Sequence, residues 1–159
     1  NQNHQYSQWP GPSSYLDKEL PYPVYSFCWK PKHINSQVEQ KLVGVCADGR
    51  IVSWTVYSGN KLEHAIMSPD ADQSYQAIGY SIDGIRYVAA GDGAAIDIYD
   101  ELTQKLFHRF THPKHNTHTN KVFVAKFSPM CVNLAYTGGW DKAVKFWDIR
   151  TDSLIAQIN

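Results

Sequence analysis

Apolar side chains along this chain come in short bursts. Runs rich in β-branched and aromatic residues recur from residue 24 onward, and Gly, Asp, Asn and Pro fall between them. The pattern predicts short antiparallel strands joined by turns, and no stretch of useful length carries a helical period. Three stretches align with one another. The first holds "PVYSFCWKP", "KLVGVCADGRIVSWTV" and "NKLEHAIM"; the second "SYQAIGYSIDG", "RYVAAGDGAAIDIYD" and "QKLFHRFT"; the third "KVFVAKFSP", "NLAYTGGWDKAVKFWDIR" and "DSLIAQIN". The aromatics that end the first strand of each, Trp29, Tyr80 and Phe127, are spaced by 51 and 47 residues. Those that end the third strand, Trp54, Tyr99 and Trp147, are spaced by 45 and 48. Spacings of this size mark a repeat architecture in which each unit is one supersecondary element. "ADGR", "GDGA" and "GWDK" fall between the second and third strands, where glycine permits the positive φ of a tight turn.

The unit resembles the WD repeat, the four-stranded blade of a β-propeller. The third unit carries the full pattern: "HTNKV" resembles the opening of the repeat, "FSP" the end of its inner strand, and "TGGWDKAVKFWD" the turn that runs into Trp-Asp. The resemblance implies that His118, Thr137, Asp141 and Trp147 form the family's structural hydrogen-bond tetrad. Physical chemistry agrees, since a buried indole N–H and a buried carboxylate each need a partner. The first unit keeps Asp48 and Trp54 but has Gly44 where Ser or Thr belongs. The second has Ala89, Gly93 and Tyr99, with Asp92 one residue early. These two units are expected to rely on strand pairing and packing instead of a tetrad.

The expected fold is therefore all-β, a WD-repeat β-propeller with about three four-stranded blades. Blades are expected over residues 24–68, 74–111 and 118–159, preceded by an extended Tyr- and Pro-rich arm or linker at 1–23. Propellers close with roughly four to eight blades. Three cannot close, so a larger ring of about seven is expected, its other blades lying in further sequence or on another chain.

Charge narrows the partners. Fifteen basic and fifteen acidic side chains give a net charge of zero, which offers no field for a phosphate backbone or an anionic membrane. Nucleic acid and membrane are therefore not expected, and no apolar run reaches the roughly 20 residues of a spanning helix. The chain starts at Asn1, so a targeting signal further upstream is not visible. Cys28, Cys46 and Cys131 lack paired spacing, which points to free thiols and a reducing compartment. A cytoplasmic setting is expected, with nuclear or cytoskeletal ones as alternatives.

Little in the chain suggests catalysis. The run "HRFTHPKHNTH" holds His108, His112, His115 and His118 at spacings that would suit zinc on a helix. Pro113 and the missing helical period argue for a polar loop instead, and no metal or cofactor is expected. The carboxylate pairs Asp70/Asp72 and Asp97/Asp100 are no better, and Asp97, alternating with Ile96 and Ile98, should point away from the apolar face. "YSFCW", "YQAIGY" and "VFVAKF" bring only Lys126 toward a propeller channel, too little for an enzyme site.

Trp140 stands apart from Trp147. It falls in a turn at a position the family leaves variable, where a large aromatic either anchors an interface or packs on the loop 111–120 or a neighbouring blade. Arg50, Asp92, His112, Lys114 and Lys142 are expected beside it. The resemblance implies a non-catalytic scaffold that binds proteins or peptides through this loop face. The alternatives are an architectural subunit of a large cytoskeletal or ciliary assembly and, less favoured, a small-molecule or enzymatic site in the channel.

Overall fold

A computed structural model describes residues 23–32, 39–57, 62–67 and 74–159. Residues 1–22 of the expected arm, and Asp70 and Asp72, lie outside these. Twelve strands are formed: β1 (Val24–Trp29), β2 (Glu39–Cys46), β3 (Ile51–Tyr57), β4 (Leu62–Met67), β5 (Tyr75–Tyr80), β6 (Arg86–Gly91), β7 (Ile96–Asp100), β8 (Leu106–Phe110), β9 (Val122–Phe127), β10 (Leu134–Gly139), β11 (Val144–Asp148) and β12 (Ser153–Ile158). They pair in sequence order into three antiparallel four-stranded sheets, β1–β4, β5–β8 and β9–β12. Each sheet is a meander, so every connection is short and local. Among the described residues, no helix is long and apolar enough to cross a membrane.

The sheets stack face to face, with β5 lying against β1 on one side and β9 on the other. Strand alternation gives the middle sheet two apolar faces. Tyr75, Ile78, Tyr87, Ala89 and Tyr99 pack against Val43, Val45 and Ile51 of the first sheet. Ala77, Val88, Ala90, Ile96, Ile98 and Phe110 pack against Val122, Ala125, Phe127, Ala135 and Trp147 of the third. Each fully buried Ile or Val stabilises by about 1.5–3 kcal/mol over its exposed state, so the middle sheet couples both interfaces. The outer sheets have one neighbour each. Phe27 and Trp29, which alternate with the inward Ser26 and Cys28, are exposed on one end of the stack, and Val124, Val144 and Ile158 on the other.

This stacking changes the fate of Asp97. Its alternation with Ile96 and Ile98 does send it to the opposite face. That face is buried as well, because the first sheet covers it, and Asp97 is 0% exposed.

The turns between second and third strands share one geometry. The N–H of Ala47 donates to the Pro23 carbonyl, that of Asp92 to Ser74, and that of Trp140 to Lys121, each at 2.9 Å. Two residues further on, the backbone enters the left-handed region at Gly49 (φ 84°), Ala94 (φ 55°) and Lys142 (φ 65°). Glycine takes that position only in the first turn. In "GDGA" and "GWDK" a residue with a Cβ holds it, at a steric cost of about 1–2 kcal/mol.

Candidate functional site

In the third sheet the cross-strand register sets Thr137 opposite Lys145 and Ala135 opposite Trp147. Thr137, Lys145 and Trp147 therefore share the face turned to the middle sheet, and all three are buried. The Lys145 ammonium donates to the carbonyls of Asn116 (2.6 Å) and Thr117 (3.1 Å), which fastens the incoming loop and delivers His118 to the same face. The structure thereby brings His118, Thr137, Asp141 and Trp147 together. The Trp147 indole N–H donates to Thr137 Oγ1 (2.8 Å), which lies 2.7 Å from His118 Nε2, and His118 Nδ1 lies 2.8 Å from an Asp141 oxygen.

Only one proton arrangement satisfies every group. Neutral His118 donates from Nδ1 to Asp141 and accepts the Thr137 hydroxyl at Nε2, leaving the Thr137 lone pairs for the indole. Burial pushes the His118 ring below its ordinary range, outweighing the opposing pull of Asp141, and Lys145 adds to the push. Burial alone would raise Asp141, but hydrogen bonds from His118, Ala143 and Thr119 hold its carboxyl below the usual range.

These shifts fix a sign. The folded chain resists protonating His118, so below the ordinary imidazole value of 6.5 the unfolded chain binds more protons and stability falls. The Asp141 contribution is present above the ordinary 3.8 and is lost as the pH drops through its lower folded value. The urea midpoint is expected to fall as the pH is lowered from 7 to 5. His118→Gln is expected to flatten that slope; a slope equal to the wild type's would assign it to other histidines.

The first two sheets solve the same position differently. A Cβ at Gly44 would sit 3.0 Å from Trp54 Cζ3 and 3.2 Å from the Ser26 carbonyl oxygen, so the indole occupies the space a Ser or Thr would need. In the middle sheet a second polar network replaces the tetrad. Arg109, directly opposite Asp97 in the β7–β8 register, donates from Nε (2.7 Å) and Nη2 (2.9 Å) to the carboxylate. The Tyr75 hydroxyl donates to the same carboxylate and lies 2.8 Å from the Tyr99 hydroxyl. Burial, then the Asp97 charge, pushes the Tyr75 phenol far up, which keeps it a donor. Strand pairing and packing are thus not all that holds this sheet. The signal was the Asp97/Arg109 pair, legible once β7 and β8 are set in register.

The histidine run is split apart. His118 joins the tetrad and His112 stays exposed, while His108 Nε2 (2.7 Å) and His115 Nε2 (2.8 Å) converge on Asp152 Oδ1 in the β11–β12 turn. Lys114 reaches the other oxygen of that carboxylate at 3.1 Å. The cluster has the ligand types of a metal site, within 4.8 Å of one another. Its protons do not suit one: the Thr111 N–H donates to His115 Nδ1 (2.8 Å), so the neutral ring carries its proton on Nε2, toward Asp152. A ligating imidazole needs the reverse tautomer. Burial would raise Asp152, but Lys114, His108 and His115 draw its carboxyl below the ordinary range.

Trp140 emerges from its turn 65% exposed, its ring 5.2 Å from that of Phe123 on β9 of the same sheet. The ring thus packs on a strand of its own sheet. Lys142 is exposed in the same turn. Asp92, at the corresponding place in the middle sheet, pairs with Lys121 (3.3 Å), which leads into β9. Arg50 lies at the same end of the first sheet, its guanidinium on Asp48. Lys114 departs from this group, because Asp152 lies in the turn at the other end of β11 from Lys142. Of the cysteines, Cys46 is buried, Cys28 is half-buried with its thiol pushed up to about 11 by burial, and Cys131 is exposed; all three are free.

Three stacked antiparallel four-stranded sheets, innermost strands side by side, are blades of a β-propeller. Solved structures that share this fold include a propeller of WD40 repeats. The structure of U3-55K matches with a TM-score of 0.72 at 17% identity, over 89% of this chain and 40% of that one. The crystal structure of the RRP9 WD40 repeats matches with a TM-score of 0.71 at 19% identity, again over 89% and 40%. The chain thus spans 40% of the length of these two structures. No family model and no curated protein matches the sequence.

Proposed function

We propose that this chain is a non-catalytic interaction scaffold whose blades dock proteins or peptides at the end that carries Trp140. The observation behind this reading is the position of Trp140: a large ring, mostly exposed, braced by Phe123 on a turn whose backbone is hydrogen-bonded to the neighbouring strand. A rigid, supported aromatic loses little freedom on binding, which is why Trp is enriched among interface anchors. Lys142 and the Asp92–Lys121 pair supply a polar rim, and Arg50 lies at the same end of the first sheet. Balanced charge favours protein over nucleic acid, and the free thiols favour a reducing, cytoplasmic setting.

A second reading has its own observation. The outermost faces of the stack expose Phe27 and Trp29 at one end and Val124, Val144 and Ile158 at the other. Further blades of one ring, or a partner chain in a permanent assembly, would cover them.

The test is Trp140→Ala in the protein used as bait, with bound partners quantified against wild type and an exposed control, Thr151→Ala. The alanine variant is expected to hold its partners more weakly by about 2 kcal/mol, roughly 30-fold, while its unfolding free energy stays within about 0.5 kcal/mol of wild type. Partners retained undiminished, or a variant that no longer folds, would remove Trp140 from the docking role.

A further inference from the structure

The middle blade has both neighbours within this chain, so what its ends expose does not depend on any other blade. At the end opposite Trp140 it exposes five large apolar side chains: Ile82 and Ile85 in the β5–β6 turn, Leu102 in the β7–β8 turn, and Leu106 and Phe107 entering β8. Leu102 is 89% exposed. Single exposed apolar residues need no explanation, but a group of this kind on one end of a blade marks an interaction surface.

The backbone beneath the group is fixed. The Glu101 N–H donates to the Ile85 carbonyl (2.9 Å), tying the two turns together. Asp83 accepts from the Ile85 N–H (3.1 Å) and the Ser81 hydroxyl (2.6 Å), and Asp100 accepts from the Thr103 N–H (2.8 Å) and hydroxyl (2.7 Å). These bonds order the turns through the backbone and the Asp, Ser and Thr side chains, and leave the Ile82, Ile85 and Leu102 side chains exposed.

Charge tells what would cover them. The acids at this end are engaged within the fold: Asp83 and Asp100 hold their turns, and Glu101 receives Lys30 at 2.7 Å and Lys41 as well. Of the cations, Lys30 and Lys41 are taken up by that same Glu101. The Arg86 guanidinium, on the residue paired with Asp100, lies 4.4 Å over the Phe107 ring and its buried Nε makes no hydrogen bond, while Lys105 is exposed beside the β7–β8 turn. A buried guanidinium N–H without an acceptor favours an incoming carboxylate.

We infer that this end of the middle blade docks a short segment of another protein in which large apolar side chains are interspersed with carboxylates. The apolar side chains cover Ile85, Leu102 and Phe107, and a carboxylate reaches Arg86. The surface is separate from the turn end that carries Trp140, on the far side of the blades.

Random-peptide display against the whole protein tests this, with Ile85→Ser/Leu102→Ser, Arg86→Gln and Trp140→Ala as parallel targets. Selection on wild type should enrich sequences that combine Asp or Glu with Leu, Ile or Phe, and a synthetic peptide of that consensus should bind in fluorescence anisotropy. Its affinity should fall at least tenfold with Ile85→Ser/Leu102→Ser, fall about tenfold with Arg86→Gln, and not change with Trp140→Ala. Thermal midpoints within a few degrees of wild type would show that the exposed substitutions leave the fold intact. No enrichment, a basic consensus, or binding indifferent to Ile85→Ser/Leu102→Ser would overturn the inference. So would light scattering that shows wild-type dimers abolished by the same pair of substitutions, which would make the surface an interface between copies of this chain.

Discussion

Thr137→Val is expected to lower the unfolding free energy by about 2–4 kcal/mol although it changes neither shape nor volume. One hydroxyl serves two buried rings: it donates to His118 Nε2 and accepts from the Trp147 indole N–H. Removing it strands one acceptor and one donor at once, and each unsatisfied buried group costs about 1–3 kcal/mol. Thr137→Ser keeps the hydroxyl and loses only a methyl, so its cost should be nearer 1 kcal/mol. Equilibrium urea denaturation at pH 7 of both variants separates the two contributions. If Val and Ser cost the same, the hydroxyl is not what holds the relay.

Asp97→Ala should be comparably severe, at about 3 kcal/mol, although nothing in the WD pattern marks the residue. The carboxylate sits between the Arg109 guanidinium and the Tyr75 hydroxyl, fully buried against the first blade. Deleting one member of such a network leaves the others in a low-dielectric site without their partner, which typically costs about 3–5 kcal/mol for a buried pair. Arg109 is partly exposed, and water can take up some of its loss, so the lower end applies. A double-mutant cycle with Arg109→Ala is the check: a coupling near zero would mean that the two side chains act independently. Either loss is a large fraction of the roughly 5–15 kcal/mol that keeps a domain folded.

How much of this was legible depended on where each signal lies in the chain. The strands and their repeat were legible because alternation and turn residues are local, and the tetrad residues could be named because the third unit carries its whole pattern contiguously. The fate of Asp97 was not, because its burial is decided by a neighbouring blade and not by its own strand. The same holds for Asp152, far along the chain from the histidine run, whose carboxylate lies within ion-pair distance of His108, His115 and Lys114. Glycine in "GDGA" and "GWDK" suggested where the turns lie but not which residue turns left-handed, since the backbone hydrogen bond that opens each turn sets that position by count. Phe123 as the support of Trp140 was missed for a simpler reason. The two meet across a strand and a turn, and neither sequence neighbourhood refers to the other.

The hydrogen bond that opens each turn engages the backbone of Ala47, Asp92 and Trp140, and asks nothing of their side chains. Each blade therefore has a socket whose occupant can be exchanged while its mounting stays in place. Here the three sockets hold a methyl, a carboxylate and an indole. A lineage of such proteins can change what it recognises one blade at a time, and an engineer can do the same, without renegotiating the fold that carries the change.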